Sequence, residues 1–103
     1  MKESDWKKFK KLKEIVLDRF CAKALSEFSD AIEDKENTNH GKYLYLYKLV
    51  ENTDKHLSLL FDGHSRSKAP IQFMLIREEG LIENVELEGL SDEFLKSTTP
   101  LNR

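Results

Sequence analysis

Neither glycine nor proline occurs in the first forty residues of this chain, and from Trp6 to Ile32 apolar side chains return at helical spacing. A stretch that lacks both helix breakers and repeats every 3.6 residues is committed to one long amphipathic helix. At 100° per residue, Phe9, Leu12, Val16, Phe20, Ala24, Ala31, Trp6, Leu17, Phe28 and Cys21 share one broad face. Lys8, Lys11, Asp18, Arg19, Ser26, Ser29 and Glu33 take the other. Ser4 or Asp5 is the expected cap, and the helix should fade through Asp34–Gly41. Ile15 falls at the centre of the polar face. It reads either as a lone exposed apolar residue or as part of a second contact surface, for example with another copy.

The second segment, Lys42–Phe61, offers two readings. Tyr43-Leu44-Tyr45-Leu46-Tyr47 alternates as a strand does, but both residue types are apolar, so the alternation separates no wet face from a dry one. Helical geometry gathers Leu46, Leu49, Val50, Leu57, Leu60, Tyr43, Tyr47 and Phe61 together and puts Lys48, Glu51, Asn52 and Lys55 opposite. The segment is also too long for an ordinary strand. A helix is therefore expected, stopped by Asp62-Gly63. It would bury Tyr43 and Tyr47 and leave Tyr45 outside, near Leu44 and Leu59, as a candidate interface.

Ser67 is the expected cap of a third helix, with Pro70 in its first turn. Ile71–Ile76 is apolar almost all round, which suits a buried helix; Glu79-Gly80-Leu81 reads as that helix's end. The alternative is a hairpin of Ile71–Arg77 with Leu81–Leu87, which would make the fold α+β. Asn84 and Ser91 are placed to cap short helices over Val85–Glu88 and Asp92–Ser97. Phe94 and Leu95 would anchor the last one, before Thr99-Pro100 ends regular structure. The expected fold is all-α: a single domain over residues 1–103, with two long antiparallel helices, a buried third and one or two short C-terminal helices.

Composition narrows function more than it identifies it. Net charge is −2 and charged residues make up 35% of the chain, which suits a globular domain better than a nucleic-acid binder. Six lysines crowd residues 2–13, and seven acids follow Arg77. The simplest expectation is that the two ends lie together and offset one another. Cys21 is the only cysteine, so no internal disulfide forms, and on an apolar face it reads as a small hydrophobe rather than a nucleophile. His40, His56 and His64 show no metal-ligand spacing, and neither a metal nor a cofactor is expected. The lysine-rich start lacks a signal peptide's apolar run, which points to the cytoplasm.

Four residues stand out for chemistry. Asp54 projects into the apolar stripe of the second helix, where a carboxylate needs a partner or an opening to water. Its partner could be Arg66, Arg19 or a capping amide; alternatively it is an acid or base in a tyrosine-lined pocket. Ser65-Arg66-Ser67-Lys68 sets hydroxyls and cations beside a helix N-terminus, as an anion site would, though plain capping explains the same residues.

Two sharper patterns weaken on inspection. Trp6–Lys13 is basic and amphipathic enough for a membrane surface, yet its apolar face runs on smoothly to Ile32, as a core helix would. Ser65–Ile82 is similar to the end of a recognition helix in winged helix-turn-helix proteins. The recognition face would be Gln72, Phe73, Ile76 and Arg77, too apolar to read bases, and Glu83, Glu86 and Glu88 of the wing would repel phosphates.

His40, Tyr43-Leu44, Tyr47-Lys48-Leu49, Phe61-Asp62, Ser65-Arg66-Ser67, Gln72, Gly80-Leu81, Glu86-Leu87, Ser91 and Glu93 together resemble a group of small bacterial hypothetical proteins of helical type. The resemblance implies an all-helical fold and a bacterial cytoplasmic setting, and no activity. The function expected from the sequence is a non-enzymatic interaction or structural module, with a protein partner or itself as a homodimer. Ile15, Tyr45 and Leu59 are its candidate contacts. A small-ligand protein or enzyme using Asp54, Arg66 and the tyrosines is the first rival, and a nucleic-acid regulator the second.

Overall fold

The long uninterrupted helix forms as its pattern requires. In the computed structural model, which describes residues 1–101, α1 runs Glu3–Glu33, α2 Asn39–Phe61, α3 Ala69–Glu78 and α4 Asp92–Ser97, with a 3-10 turn at Asn84–Leu87. No strand occurs among the described residues, so Ile71–Arg77 belongs to α3 and not to a hairpin. Gly80 closes that helix. Its φ of +74° suits the left-handed stop after a helix, and its N–H donates to the Arg77 carbonyl at 3.2 Å.

Several helix starts differ from expectation by a few residues. Lys2 precedes α1 and offers no side-chain cap, so neither Ser4 nor Asp5 caps it. Helix α2 begins at Asn39, inside the expected loop, because Thr38 Oγ1 accepts from the Gly41 N–H at 3.0 Å. Lys68, not Ser67, precedes α3. Glu83 replaces Asn84 as the cap of the 3-10 turn and exchanges bonds with Glu86 in a capping box. Ser91 caps α4 as expected, accepting from the Phe94 N–H at 3.2 Å.

One end of the molecule holds the core. Phe9, Leu12, Val16 and Phe20 of α1 meet Leu60 and Phe61 of α2, Ala69, Phe73 and Ile76 of α3, and Leu90 and Phe94. Phe73 is the hub: Phe9 meets its ring edge-on at 5.7 Å and Phe94 stacks on it at 5.3 Å. Buried polar groups tie the elements together. Lys13 Nζ donates to the Gly63 carbonyl at 2.6 Å and Gln72 Oε1 at 3.5 Å, and Gln72 Nε2 donates to the Asp62 carbonyl at 2.6 Å. Burial pushes the Lys13 pKa below its ordinary value, against the pull of Asp62. Arg77 Nη1 donates to the Leu95 carbonyl and to Thr98 Oγ1, fixing α4 from the other side.

The acidic C-terminal half meets α1 at Arg19. Its guanidinium grips Glu86 with two bonds, at 2.6 and 2.8 Å, and donates to the Leu81 carbonyl at 2.8 Å. With Arg19 as the main cause and the Glu83 N–H as the second, the Glu86 carboxyl is held down to about 2. A carboxyl depressed by folding stabilises the fold above its unfolded value near 4.5 and loses that contribution as pH falls towards 2. Glu86→Gln, which keeps an acceptor for the Glu83 N–H, should therefore cost about 1 kcal/mol at pH 7 through the lost ion pair. By urea titration that difference should shrink markedly at pH 3; an undiminished difference there would mean the carboxylate charge contributes nothing.

The two long helices outrun this core. Past Phe20, only Ala24 and Ala31 of α1 are buried, and in α2 only Leu60 and Phe61 are, at its far end. The chain extends 52 Å by 25 Å by 24 Å, and its radius of gyration of 16.5 Å exceeds the roughly 13 Å of a compact domain this long. The far half of α1 and the near half of α2 thus form a two-helix arm standing off a globular head. This overturns the expectation that Tyr43 and Tyr47 lie in the core: they are 67% and 58% exposed, and Tyr45 58%. Helical periodicity gives the face they share, but nothing from the head reaches far enough to cover it.

Candidate functional site

The residues singled out for chemistry are not gathered into one place. Arg66 pairs with Glu3 at the start of α1 and lies 5.5 Å over the Trp6 ring, and this contact holds the Glu3 carboxyl below its ordinary value. Ser65 and Ser67 bond to one another at 2.7 Å, and the Ser67 N–H donates to Ser65 Oγ at 3.2 Å. Asp54 is on the arm, exposed on the rim of a groove with Val50 and Leu57. It is not the buried carboxylate its position in the apolar stripe suggests. Of its expected partners, Arg19 is committed to Glu86 and Arg66 to Glu3. Among the described residues no group of three or more His, Cys, Asp or Glu could hold a metal ion.

Ile15, Tyr45 and Leu59 are all exposed. Ile15 stands on α1, and Tyr45 and Leu59 stand towards opposite ends of α2. Lys11, Asp18 and Arg19 flank Ile15 on the outer side of α1. Tyr45 lines a shallow cleft near the tip of the arm, with Ala31, Asp34 and Leu49.

A coherent surface lies elsewhere on the arm. Along α1, Leu17, Cys21, Leu25, Phe28 and Ile32 follow one another at spacings of three and four, on a different side of the helix from Phe9, Leu12 and Val16. Along α2, Tyr43, Tyr47, Val50 and Leu57 do the same, interrupted by Asp54. Between the two rows runs an almost wholly apolar groove of about 320 Å³, lined by Cys21, Leu25, Phe28, Val50 and Leu57. Leu25 is 64% exposed and Ile32 52%. Single exposed apolar residues are ordinary; two adjoining rows at heptad-like spacing are what a helix offers to another helix.

The sequence held a signal for this surface. Leu25 and Ile32 fall just beyond the arc that faces the core, so the apolar arc of α1 is wider than one packing contact needs. The core row and the outer row simply overlap near Cys21 and Phe28.

The expected balance between the two ends of the chain is only partly present. The C-terminal segment does reach α1: Asp5 accepts bonds from the Ser91 N–H and hydroxyl, at 2.8 and 2.6 Å. Yet no lysine between Lys2 and Lys13 forms an ion pair among the described residues; Lys10 lies 5.3 Å over the Trp6 ring, and Lys8 reaches Glu86 only through its field. No described helix is long and apolar enough to cross a membrane. Comparison with known proteins gives no match: no family model fits the chain, and no curated protein or solved structure is significantly similar to it.

Proposed function

We propose that this protein is a non-enzymatic interaction module whose working surface is the apolar face of its arm. The observation that carries this reading is the concentration of exposed large apolar side chains there: Leu25, Ile32, Tyr43, Tyr47 and Val50 cluster beyond the reach of the head. Leaving such a face in water forgoes roughly 25 cal/mol for each Å² that a partner could cover. The separation of Asp54 from Arg66 leaves the enzyme reading without a site. A single half-buried cysteine and the resemblance to small bacterial proteins favour a bacterial cytoplasm as the setting.

Photo-cross-linking in the cells that make the protein tests this. A benzophenone amino acid in place of Leu25 or Tyr47 should give covalent products with a protein, and one in place of Val85, exposed on the head, should give none. Products spread evenly over the three positions, or absent from both arm positions, would overturn the reading.

A further inference from the structure

We infer that the groove of the arm receives a basic amphipathic helix of another protein, its apolar face in the furrow and its lysines or arginines against the carboxylates of the rim. The inference rests on the interaction reading above and gives the partner a chemistry.

The shape suits a helix. The groove does not stop at Leu57, because that side chain also lines a second cavity, of about 300 Å³, with Glu14, Leu17 and Phe61. The two lie end to end along the α1–α2 seam, from Glu14 to Phe28 on α1. At 1.5 Å per residue that furrow is about 21 Å long. A straight apolar furrow between two antiparallel helices is what a third helix fills, anchored by residues three and four apart.

The charge of the rim selects the kind of helix. Asp54 lines the groove from α2, and Glu14 lines its continuation from α1. Asp18 follows Glu14 by one turn and precedes Cys21 by three residues, so it borders the same furrow. All three are exposed, and none forms an ion pair among the described residues.

The bases of the same segments are turned elsewhere. Arg19 holds Glu86, and Lys23 follows one turn later on Arg19's side of α1. Lys55 falls on the far face of α2 with Lys48 and Asn52, and His56 bonds to Glu79. Lys10, Lys13, Asp62 and His64 close the head end of the furrow. There Lys13 Nζ is taken up by Gly63 and Gln72, and Lys10 lies over the Trp6 ring. Between Glu14 and Phe28 the charges left facing an occupant are therefore carboxylates. They repel an anionic membrane surface or an acidic segment, and they attract lysine and arginine.

Fluorescence anisotropy with the purified full chain tests this. The probe is a labelled synthetic Leu–Lys peptide of about 18 residues, apolar on one face of its helix and basic on both flanks. It should bind at least about tenfold more tightly than a Leu–Glu peptide of the same pattern, and added salt should weaken it. Asp18→Lys with Asp54→Lys should lower its affinity at least about tenfold and turn the preference towards the Leu–Glu peptide. Leu25→Ser, which leaves the rim charges alone, should also cost about tenfold. Glu27→Lys with Glu88→Lys makes the same change in net charge away from the furrow, at the Tyr45 cleft and on the head, and should have little effect.

Equal affinity for the two peptides, no binding of either, or equal losses in the two charge-reversed chains would overturn the basic helix. In that event arm cross-links to a protein in cells would leave the interaction reading standing, and their absence would remove both.

Discussion

Phe73→Ala should cost about 3–5 kcal/mol, a large part of the 5–15 kcal/mol that holds an ordinary domain folded. Phe73 is fully buried and is the one ring that touches both α1, through Phe9, and α4, through Phe94. Its removal forfeits the transfer energy of a large ring and leaves a cavity that three separate elements would have to close. Pro70 in the first turn and Arg77 bound to α4 hold α3 where it is, so collapse into the gap would be incomplete. The measurement is the urea midpoint followed by circular dichroism. Phe28→Ala on the arm serves as the comparison and should cost far less, because that ring is already half open to water. Equal losses at the two positions would mean that the core extends into the arm after all.

The second large effect is expected at Asp5. A carboxylate inside the first turn of a helix, 1% exposed, is unusual, and two bonds explain it: the Ser91 N–H and the Ser91 hydroxyl both donate to it. Ser91 in turn caps α4, so one side chain fixes the start of the last helix against the start of the first. Asp5→Ala removes two charge-assisted bonds and leaves the half-buried Ser91 N–H without this acceptor, for a loss of about 2–4 kcal/mol. Asp5→Asn keeps the shape and one acceptor oxygen, so about half of that loss is expected. Release of α4 should also appear as faster tryptic cleavage after Lys96. If Asp5→Ala matches the wild type in both stability and cleavage rate, the Asp5–Ser91 link does not hold the chain ends together.

What could be read from the sequence follows what is local. Helix periodicity and the absence of breakers define α1, and glycine stops end α2 and α3, because each depends on a few neighbouring residues. Helix starts were less legible. Thr38, Lys68 and Glu83 precede the helices where Lys42, Ser67 and Asn84 are the expected starts or caps, since several polar residues in a row could each serve. Asp5 reads as a cap and Lys13 as one of a run of lysines, because their partners Ser91, Gly63 and Gln72 lie far along the chain.

The arm is the instructive failure. An amphipathic pattern says which residues share a face, and it is silent on whether anything in the same chain reaches them. Tyr43, Tyr47 and Val50 carry core-like spacing, but α3, the 3-10 turn and α4 are too short to cover both the head and the arm.

Amide hydrogen exchange of the purified chain bears most directly on the claim that the arm stands uncovered, outside the packed head. Arm amides, at residues 21–33 and 40–53, rest on few buried contacts. They should exchange at least about a hundredfold faster than those around Val16 and Phe73. An arm as well protected as the head would contradict the account.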